Sequence, residues 1–576
     1  MPDDTVLLER HFNTAFAAPD GIQKLRELIL TLAMQGKLVP QDPTDEPASE
    51  LLKEIKTAKD KLVEDGKFNA LESEPINEID TTLFQIPQSW IWCRLDDISA
   101  IARGGSPRPI KSYLTDDPDG LNWIKIGDSD RGKIYINDTR EKIRPEGLKS
   151  TRMVFPGDLI LSNSMSFGYP YILNIQGCIH DGWLLIRTPD ELVDKLFIYY
   201  LFLSNYAKKA FTKAASGAVV QNLNADKVRR LLIPFPPLAE QRRIVAKIDR
   251  LMARCDELEK LRVERNQKRI TIHTAALNRL LNAKESNDFS TAWHFITQHF
   301  GELYSVKENV AELRKAILQL AVMGKLVPQD PTDEPASELL RAIAAKKQQL
   351  VKEGKIKQPK PLPEIKLEDE PYELPQGWVW VRLGNVSQII GGFAYKSDRF
   401  QTEGTRQVLR LGNIRPDLIR LNENPVFIDD SIGEATSEFC LLKNDILITM
   451  TGTRSKRDYL YTVRVEENPM NGVLLYLNQR VGAIRLFFDA RYTNLGLKVE
   501  RLKDVIFSSA TGSANQANIG ISNLREWMVP LPPLAEQRRI ASKIDRLMAL
   551  CDHLDQQIDA ATGKQSALLN AVMAQV

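Results

Sequence analysis

The chain has 576 residues, 43% of them hydrophobic and 26% charged, with 31 glycines, 31 prolines and a net charge of +2; this is ordinary globular composition and excludes collagen-like, mucin-like and wholly disordered classes. The length exceeds one hydrophobic core and predicts about three or four structural units at roughly 150 residues each. No stretch approaches the roughly 18 to 20 uncharged residues of a membrane span, and the start MPDDTVLLER lacks the basic and apolar regions of a signal peptide, so a cytoplasmic location is expected.

In chain order, Ile22, Leu25, Ile29 and Leu32 recur at helical spacing and predict an amphipathic helix ending near Gly36, a residue suited to the left-handed position after a helix. Whether that apolar face is covered within the chain or by a partner stays open. Asp45, Pro47 and Ser49 then start a second helix reaching about Gly66. From IPQSWIWCRL (Ile86 to Leu95) onward the texture changes. Short apolar runs such as WIKIG, VFPGDLILSNS and GWLLIRT read as strands, with KLFIYYLFLSNYAKKAF as helix, and Trp90 and Trp92 read as strand core. After PPLAEQRRI (Pro236 to Ile244) no Pro or Gly occurs from Leu238 to Lys284. There Ile244, Ile248, Leu251, Cys255 and Leu258 form a heptad seam, broken beyond by Arg262 and Arg265.

The same order then repeats. GKLVPQDPTDEPASELL occupies Gly36 to Leu52 and again Gly324 to Leu340, and PPLAEQRRI returns at Pro532 to Ile540. Val310, Leu313, Ile317 and Leu320 echo the first helix, and LPQGWVWVRL, with Trp378 and Trp380, echoes the tryptophan strand. The final segment carries the seam Ile540, Ile544, Leu547, Cys551, Leu554 and Ile558. Two helices of roughly 40 residues would be about 60 Å long, too long to fold into a globule alone, and are expected to pair as an antiparallel coiled coil. Between the repeated blocks, 96–230 and 384–526 resemble each other only in outline; LRLGNI, NDILITMTG and GAIRLFF mark strands in the second.

The expected architecture is mixed α/β (α+β): two globular insert domains separated by a long antiparallel two-helix coiled coil, with internal duplication and pseudo-twofold symmetry. The divisions are an N-terminal helical region 1–84, a first domain 85–235, a long helix 236–284, a central helical region and proline-rich linker 285–373, a second domain 374–531 and a final helix 532–576. Charge is uneven: 88–235 holds 20 basic against 16 acidic residues, 236–284 holds 12 against 6, and 1–87 holds 9 against 17. A polyanion senses such local excess within about 10 Å.

Catalytic constellations are missing. GDSDRGKI (Gly127 to Ile134) has phosphate-loop spacing but places Ile134 where a hydroxyl should hold magnesium, and puts Asp128 and Asp130 where phosphates would sit. The six histidines show no paired ligand spacing, His180 reads as a turn or core residue, and no N-P-P-Y or D-P-P-Y methyltransferase tetrapeptide occurs. The five dispersed cysteines read as reduced and mostly buried. No catalytic and no metal residue is assigned.

What remains is polar and basic loop chemistry in the inserts. Arg103, Ser106, Arg108 and Lys111 lie around glycines, Asn163 and Ser164 follow a strand, and Gln221 and Asn222 precede the first PPLAEQRRI. Their counterparts are Lys396, the run Arg454, Lys456 and Arg457, and the group Asn515, Gln516 and Asn518. Arg pairs with guanine, Asn and Gln with adenine, and Lys with phosphate, so these are the candidate DNA contacts. Read from the residues alone, unlike inserts in a repeated frame fit either duplex readout or a protein scaffold without DNA readout.

Two variable α/β inserts, each preceded by a GKLVPQ-type helix end and a W-x-W-x-R-L strand and followed by P-x-P-P-L-A-E-Q-R-R-I and a long helix, resemble the specificity subunits of type I restriction-modification enzymes. The likeness covers nearly the whole chain and is closest to longer members with repeated N-terminal and central blocks. The resemblance implies a noncatalytic targeting subunit in which each insert reads half of an asymmetric bipartite DNA sequence and the helices set the spacer. It also implies two modification subunits that use S-adenosylmethionine, and restriction subunits that use ATP and Mg. On that likeness, Glu240, Gln241, Arg242 and Arg243, with Glu536, Gln537, Arg538 and Arg539, are expected to dock those partners.

Overall fold

The structure is a computed structural model that describes residues 16–64, 84–163, 167–215, 223–513 and 516–574. It divides into two compact units, one made of 1–265 with 561–576 and the other of 266–560.

In the first unit the predicted short helix is Gly21–Met34, and Gly36 beyond it has φ +69°. A side chain there would meet Pro87 Cγ at 2.4 Å, so both backbone conformation and crowding require glycine. The second helix is Ala48–Glu64. The tryptophan strand Ile91–Arg94 pairs antiparallel with Leu232–Phe235, which brings the two ends of the first insert together. The insert itself contains two five-stranded sheets. One runs in the order Ala100–Arg103, Trp183–Arg187, Leu159–Ser162, Pro170–Leu173 and Tyr135–Ile136; the other includes Leu121–Ile124 parallel to Gly177–Ile179. The long helix Leu238–Asn282 follows without interruption, as the lack of Pro and Gly predicts.

The second unit repeats this plan. Its short helices are Lys307–Val322 and Ala336–Lys352, Gly324 has φ +69°, and Val379–Arg382 pairs antiparallel with Met528–Leu531 around the second insert. That insert has a four-stranded sheet, Ser387–Gly391, Val481–Leu486, Ile446–Thr449 and Thr462–Arg464, and a parallel pair Arg406–Leu409 with Leu474–Leu477. Leu534–Ala574 is the second long helix.

The early seam residues of the long helices, Ile244, Ile248 and Cys255 with Ile540, Ile544 and Cys551, are buried, whereas Leu258 at the end of the first seam is exposed, and the first neighbours of both seams are the short helices. Ile22 and Ile29 join one core with Ile244, Ile248 and Cys255, so that apolar face is covered by the chain itself. Val310, Ile317 and Leu320 likewise join Ile540, Ile544 and Cys551. Matching ion pairs fasten each contact: Arg26 to Asp256 and Glu259 at 2.6 and 2.8 Å, and Arg314 to Asp552 and Asp555 at 2.8 and 2.9 Å. In the second unit, late residues of the first long helix (Leu277, Leu280) share a cluster with early residues of the second (Ile540, Ile544). In the first unit, Leu569 near the end of the second long helix packs with Leu28 of the short helix. This crossing of early with late segments is the antiparallel relation that the heptads predict.

The cysteines are free, and four of the five are buried. No helix among the described residues is long and apolar enough to cross a membrane.

Candidate nucleic-acid interface

The repeated block explains itself by internal bonding. Glu240 is fully buried and accepts from Trp90 Nε1 at 2.9 Å and Gln41 Nε2 at 2.6 Å. Arg243 forms a bidentate pair with Asp45 at 3.0 and 2.6 Å. In the second unit Glu536 accepts from Trp378 Nε1 and Gln329 Nε2, both at 2.9 Å, and Arg539 pairs with Asp333 at 3.1 and 2.6 Å. Burial pushes both glutamates above the ordinary carboxylate range, against the pull of their two donors. These clasps tie the GKLVPQDPTDEP loop, the tryptophan strand and the start of the long helix into one joint. The docking assignment is corrected accordingly: Glu240, Gln241, Glu536 and Gln537 are buried and Arg243 and Arg539 are paired inside the chain, leaving Arg242 and Arg538 as the outward-facing members. The tryptophans are structural, with Trp90 and Trp378 serving as donors rather than stacking platforms.

Beyond the clasps, the same hydrogen bonds build both inserts. Leu95 N–H donates to Leu231 O and Leu383 N–H to Trp527 O, both at 2.8 Å. Arg187 with Asp158 and Arg485 with Asp445 form matching bidentate pairs on the central strands, the carboxylates being 6% and 1% exposed. Buried pairs of this kind fix geometry, because removing one partner strands the other charge.

At the far end of this shared frame the residues diverge. Gly104 N–H donates to Trp183 O and Gly105 N–H to Ile179 O; the equivalents are Gly392 N–H to Val481 O and Phe393 N–H to Leu477 O. Asn163 N–H bonds Gly182 O and its carbonyl accepts from Leu223 N–H, while Met450 N–H bonds Arg480 O and its carbonyl accepts from Ile519 N–H. Four segments therefore converge in each insert: 103–106, 163, 180–182 and 223 in the first, and 391–393, 450–452, 478–480 and 517–519 in the second. The candidate contacts lie in or beside these segments, except that none falls in 180–182 or 478–480.

In the first insert Asp181 organises the convergence. Its carboxylate accepts from Ser106 Oγ at 2.9 Å and lies 3.7 Å from Arg108, whose side chain is 83% exposed. Arg103 Nε donates to Asp181 O at 3.1 Å, and Lys111 is exposed. Asn163 is 1% exposed and donates to Asp181 O at 3.0 Å, so it holds the turn rather than facing outward. His180 is a turn residue, as expected, with Nδ1 accepting from Gly182 N–H at 2.9 Å. Burial lowers its pKa, Asp181 opposes that, and Lys125, Arg108 and Arg103 reinforce it. Ser164, Gln221 and Asn222 lie outside the described residues, as does Asn515 in the second insert.

In the second insert Lys396 and Lys456 are exposed. Arg454 is partly committed, donating to Ala510 O at 2.5 Å, and Arg457 pairs with Asp504 at 2.6 Å over the Phe507 ring. Asn518 accepts from Thr451 Oγ1 at 2.9 Å and braces two loops, whereas Gln516 is exposed. Sequence reading passed over Asp181 and the exposed Gln479 and Arg480 in the equivalent turn. Their signal was present, since HDGWLLIR and NQRVGAIR both end in the paired Ile-Arg, but it emerges only when strand registers are superposed. Among the described residues no group of three or more His, Cys, Asp or Glu side chains is placed to hold a metal ion.

Residues 87–266 and 375–561 match the profile of the type I restriction modification DNA specificity domain. The chain is 34% identical to the type I restriction enzyme EcoAI specificity subunit of Escherichia coli, across 96% of this chain and 93% of that one. It is 32% identical to the EcoEI specificity subunit of Escherichia coli, across the same shares. A crystal structure of the HsdS subunit from Thermoanaerobacter tengcongensis covers 85% of this chain and 98% of its own at 18% identity and a TM-score of 0.42.

Proposed function

Since the chain belongs to the family of type I restriction-modification specificity subunits and serves DNA target recognition, we propose that each of its two inserts reads one half of an asymmetric bipartite sequence in duplex DNA. The observation that carries this reading is the repeated frame: the clasps, the strand-end hydrogen bonds and the buried Arg–Asp pairs recur at equivalent residues, while the four loop segments they present differ in chemistry. Frames that match would hold two readers in equivalent poses; tips that differ would read different bases. The basic excess of both inserts, 20 basic against 16 acidic residues in 88–235 and 19 against 16 in 375–530, supplies attraction to phosphate.

The finer organisation follows the same logic. The long helices set the distance between half-sites, and two modification subunits dock on outward-facing parts of the repeated regions, Arg242 and Arg538 included. Those subunits bind S-adenosylmethionine and methylate adenine, and restriction subunits with ATP and Mg translocate and cut, all in the cytoplasm. This chain contributes address rather than chemistry.

The test is selection from a randomised duplex pool by the tagged chain with its copurifying subunits. Two short unlike motifs at one fixed spacing are expected, with affinity falling steeply with salt. Retention without a motif, or none, would overturn the reading in favour of a protein scaffold.

A further inference from the structure

We propose that Arg480 is a specificity-determining residue of the second insert, donating its guanidinium to a guanine in the half-site that insert reads; this rests on the DNA-reading function proposed above. Three observations converge. First, Arg480 sits in the turn before Val481–Leu486, at the position that register and hydrogen bonding equate with Gly182 of the first insert. The frame is shared at this point, since Met450 N–H bonds Arg480 O as Asn163 N–H bonds Gly182 O. What the frame presents has changed from His180–Asp181–Gly182 to Asn478–Gln479–Arg480.

Second, Arg480 is uncommitted. Most arginines of the second insert are tied down: Arg406 to Asp430, Arg420 to Glu423, Arg457 to Asp504, Arg464 to Glu466 and Arg485 to Asp445. The Arg480 side chain is exposed and its guanidinium has no hydrogen-bond or ionic partner among the described residues. Five N–H donors in a planar fork without an acceptor suit the paired O6 and N7 acceptors of guanine.

Third, the backbone holds it there under strain. Arg480 has φ +70°, a conformation that favours glycine, in a two-sheet-strand turn anchored on either side by Asn478 and Val481. A phosphate contact needs no such rigid placement, because a Lys or Arg on any flexible loop reaches the backbone of DNA. A base contact does, because the fork must meet two acceptors at once. Phe393, 38% exposed beside this turn, occupies the place of Gly105 and gives the two edges different shapes as well as different charge.

The experiment compares DNA selection by the wild-type complex with that by Arg480→Gln and Arg480→Gly complexes. Wild type is expected to return a bipartite motif with a guanine that both variants cease to select, the loss of preference at that base pair being about 5- to 150-fold, while the other half-site and the spacing stay unchanged. Arg480→Gly relieves the backbone strain, so its thermal midpoint should equal or exceed that of wild type and misfolding cannot explain its loss of preference. If wild type selects a bipartite motif and both variants select the same one, the assignment of Arg480 is overturned while the domain reading stands. A uniform loss of affinity with a shallower salt dependence would make Arg480 a phosphate contact and equally overturn it. If wild type selects no motif at all, the function itself fails, and this proposal with it.

Discussion

Replacing the clasp donor with a ring that cannot donate tests whether the repeated blocks are joints. In Trp90→Phe the buried Glu240 carboxylate keeps Gln41 but loses a 2.9 Å bond, and Trp378→Phe does the same to Glu536. A hydrogen bond to a charged group contributes about 1.5 to 3 kcal/mol, and the truncated indole gives up about 1 kcal/mol of burial, for roughly 3 kcal/mol per site. At about 1.4 kcal/mol per factor of ten, protection of the joint's amides from hydrogen exchange should fall about 100-fold. Exchange measured by mass spectrometry reads each joint separately, in peptides covering 36–52 and 236–248 for the first and 324–340 and 532–544 for the second. Each variant should loosen its own joint by a similar factor and leave the other unchanged, because the joints lie in different units and share no partner. Arg242→Ala, an outward-facing change in the same block, should leave protection unaltered. A change under about fivefold in the variant's own joint would refute the clasp, and so would equal loosening of both joints by either variant.

Three further outcomes are expected. Gly36→Ala should lower the thermal midpoint by several degrees, combining a left-handed penalty of about 1 kcal/mol or more with the Pro87 clash; Gly354→Ala, also left-handed at φ +68° but with open space around it, should show only the first part, and equal losses would dismiss the crowding argument. The raised pKa of Glu240 means the folded chain holds that proton more tightly than the unfolded chain, so its stabilising contribution is full below about pH 4.5 and is lost as pH rises through the folded value. Denaturation of wild type and Glu240→Gln across that range should therefore show wild type losing ground to the variant with rising pH, and a constant difference would deny the shift. Exchanging 96–230 for the insert of another such protein should alter one half of the selected sequence only, and change in both halves would break the modular picture.

The duplication, the strand-and-helix texture of the inserts and the long helices were legible because each leaves a periodic or repeated trace in one dimension. Gly36 was legible for the same reason: a glycine after an amphipathic run has a specific backbone use. The clasp was not. PPLAEQRRI reads as a polar, outward helix start, and nothing in it says that Glu240 meets Trp90, 150 positions earlier, across a strand pair that closes only when the whole insert has folded. The loop edge where the inserts diverge was half legible. Arg103, Ser106 and Arg108 stood out by composition, whereas Asp181 and Arg480 gain meaning only from their place at the end of a shared strand register.

The two joints also differ where frame meets insert, and the differences show which contacts an insert must satisfy. Gln241 Nε2 bonds Pro236 O at 2.9 Å and Gln537 Nε2 bonds Pro532 O at 2.8 Å, but only Gln241 Oε1 accepts from the insert, from Asp194 N–H at 2.9 Å. Gln537 Oε1 is buried without a partner among the described residues. About two helical turns on, Asp249 accepts from Tyr200 Oη, whereas Leu495 holds the place of Tyr200 and Asp545 instead borders an open groove of about 560 Å³ with Arg464, Arg491 and Lys498. The same stretch of long helix thus takes hydrogen bonds from the first insert and shares an apolar cluster with Tyr492 and Leu495 of the second. Both inserts match in the Trp, the Arg-Leu that follows it and the paired strands at their two ends. Beyond that ribbon the inserts still share the Arg187–Asp158 and Arg485–Asp445 pairs, and it is past those pairs, at 180–182 and 478–480, that their residues diverge.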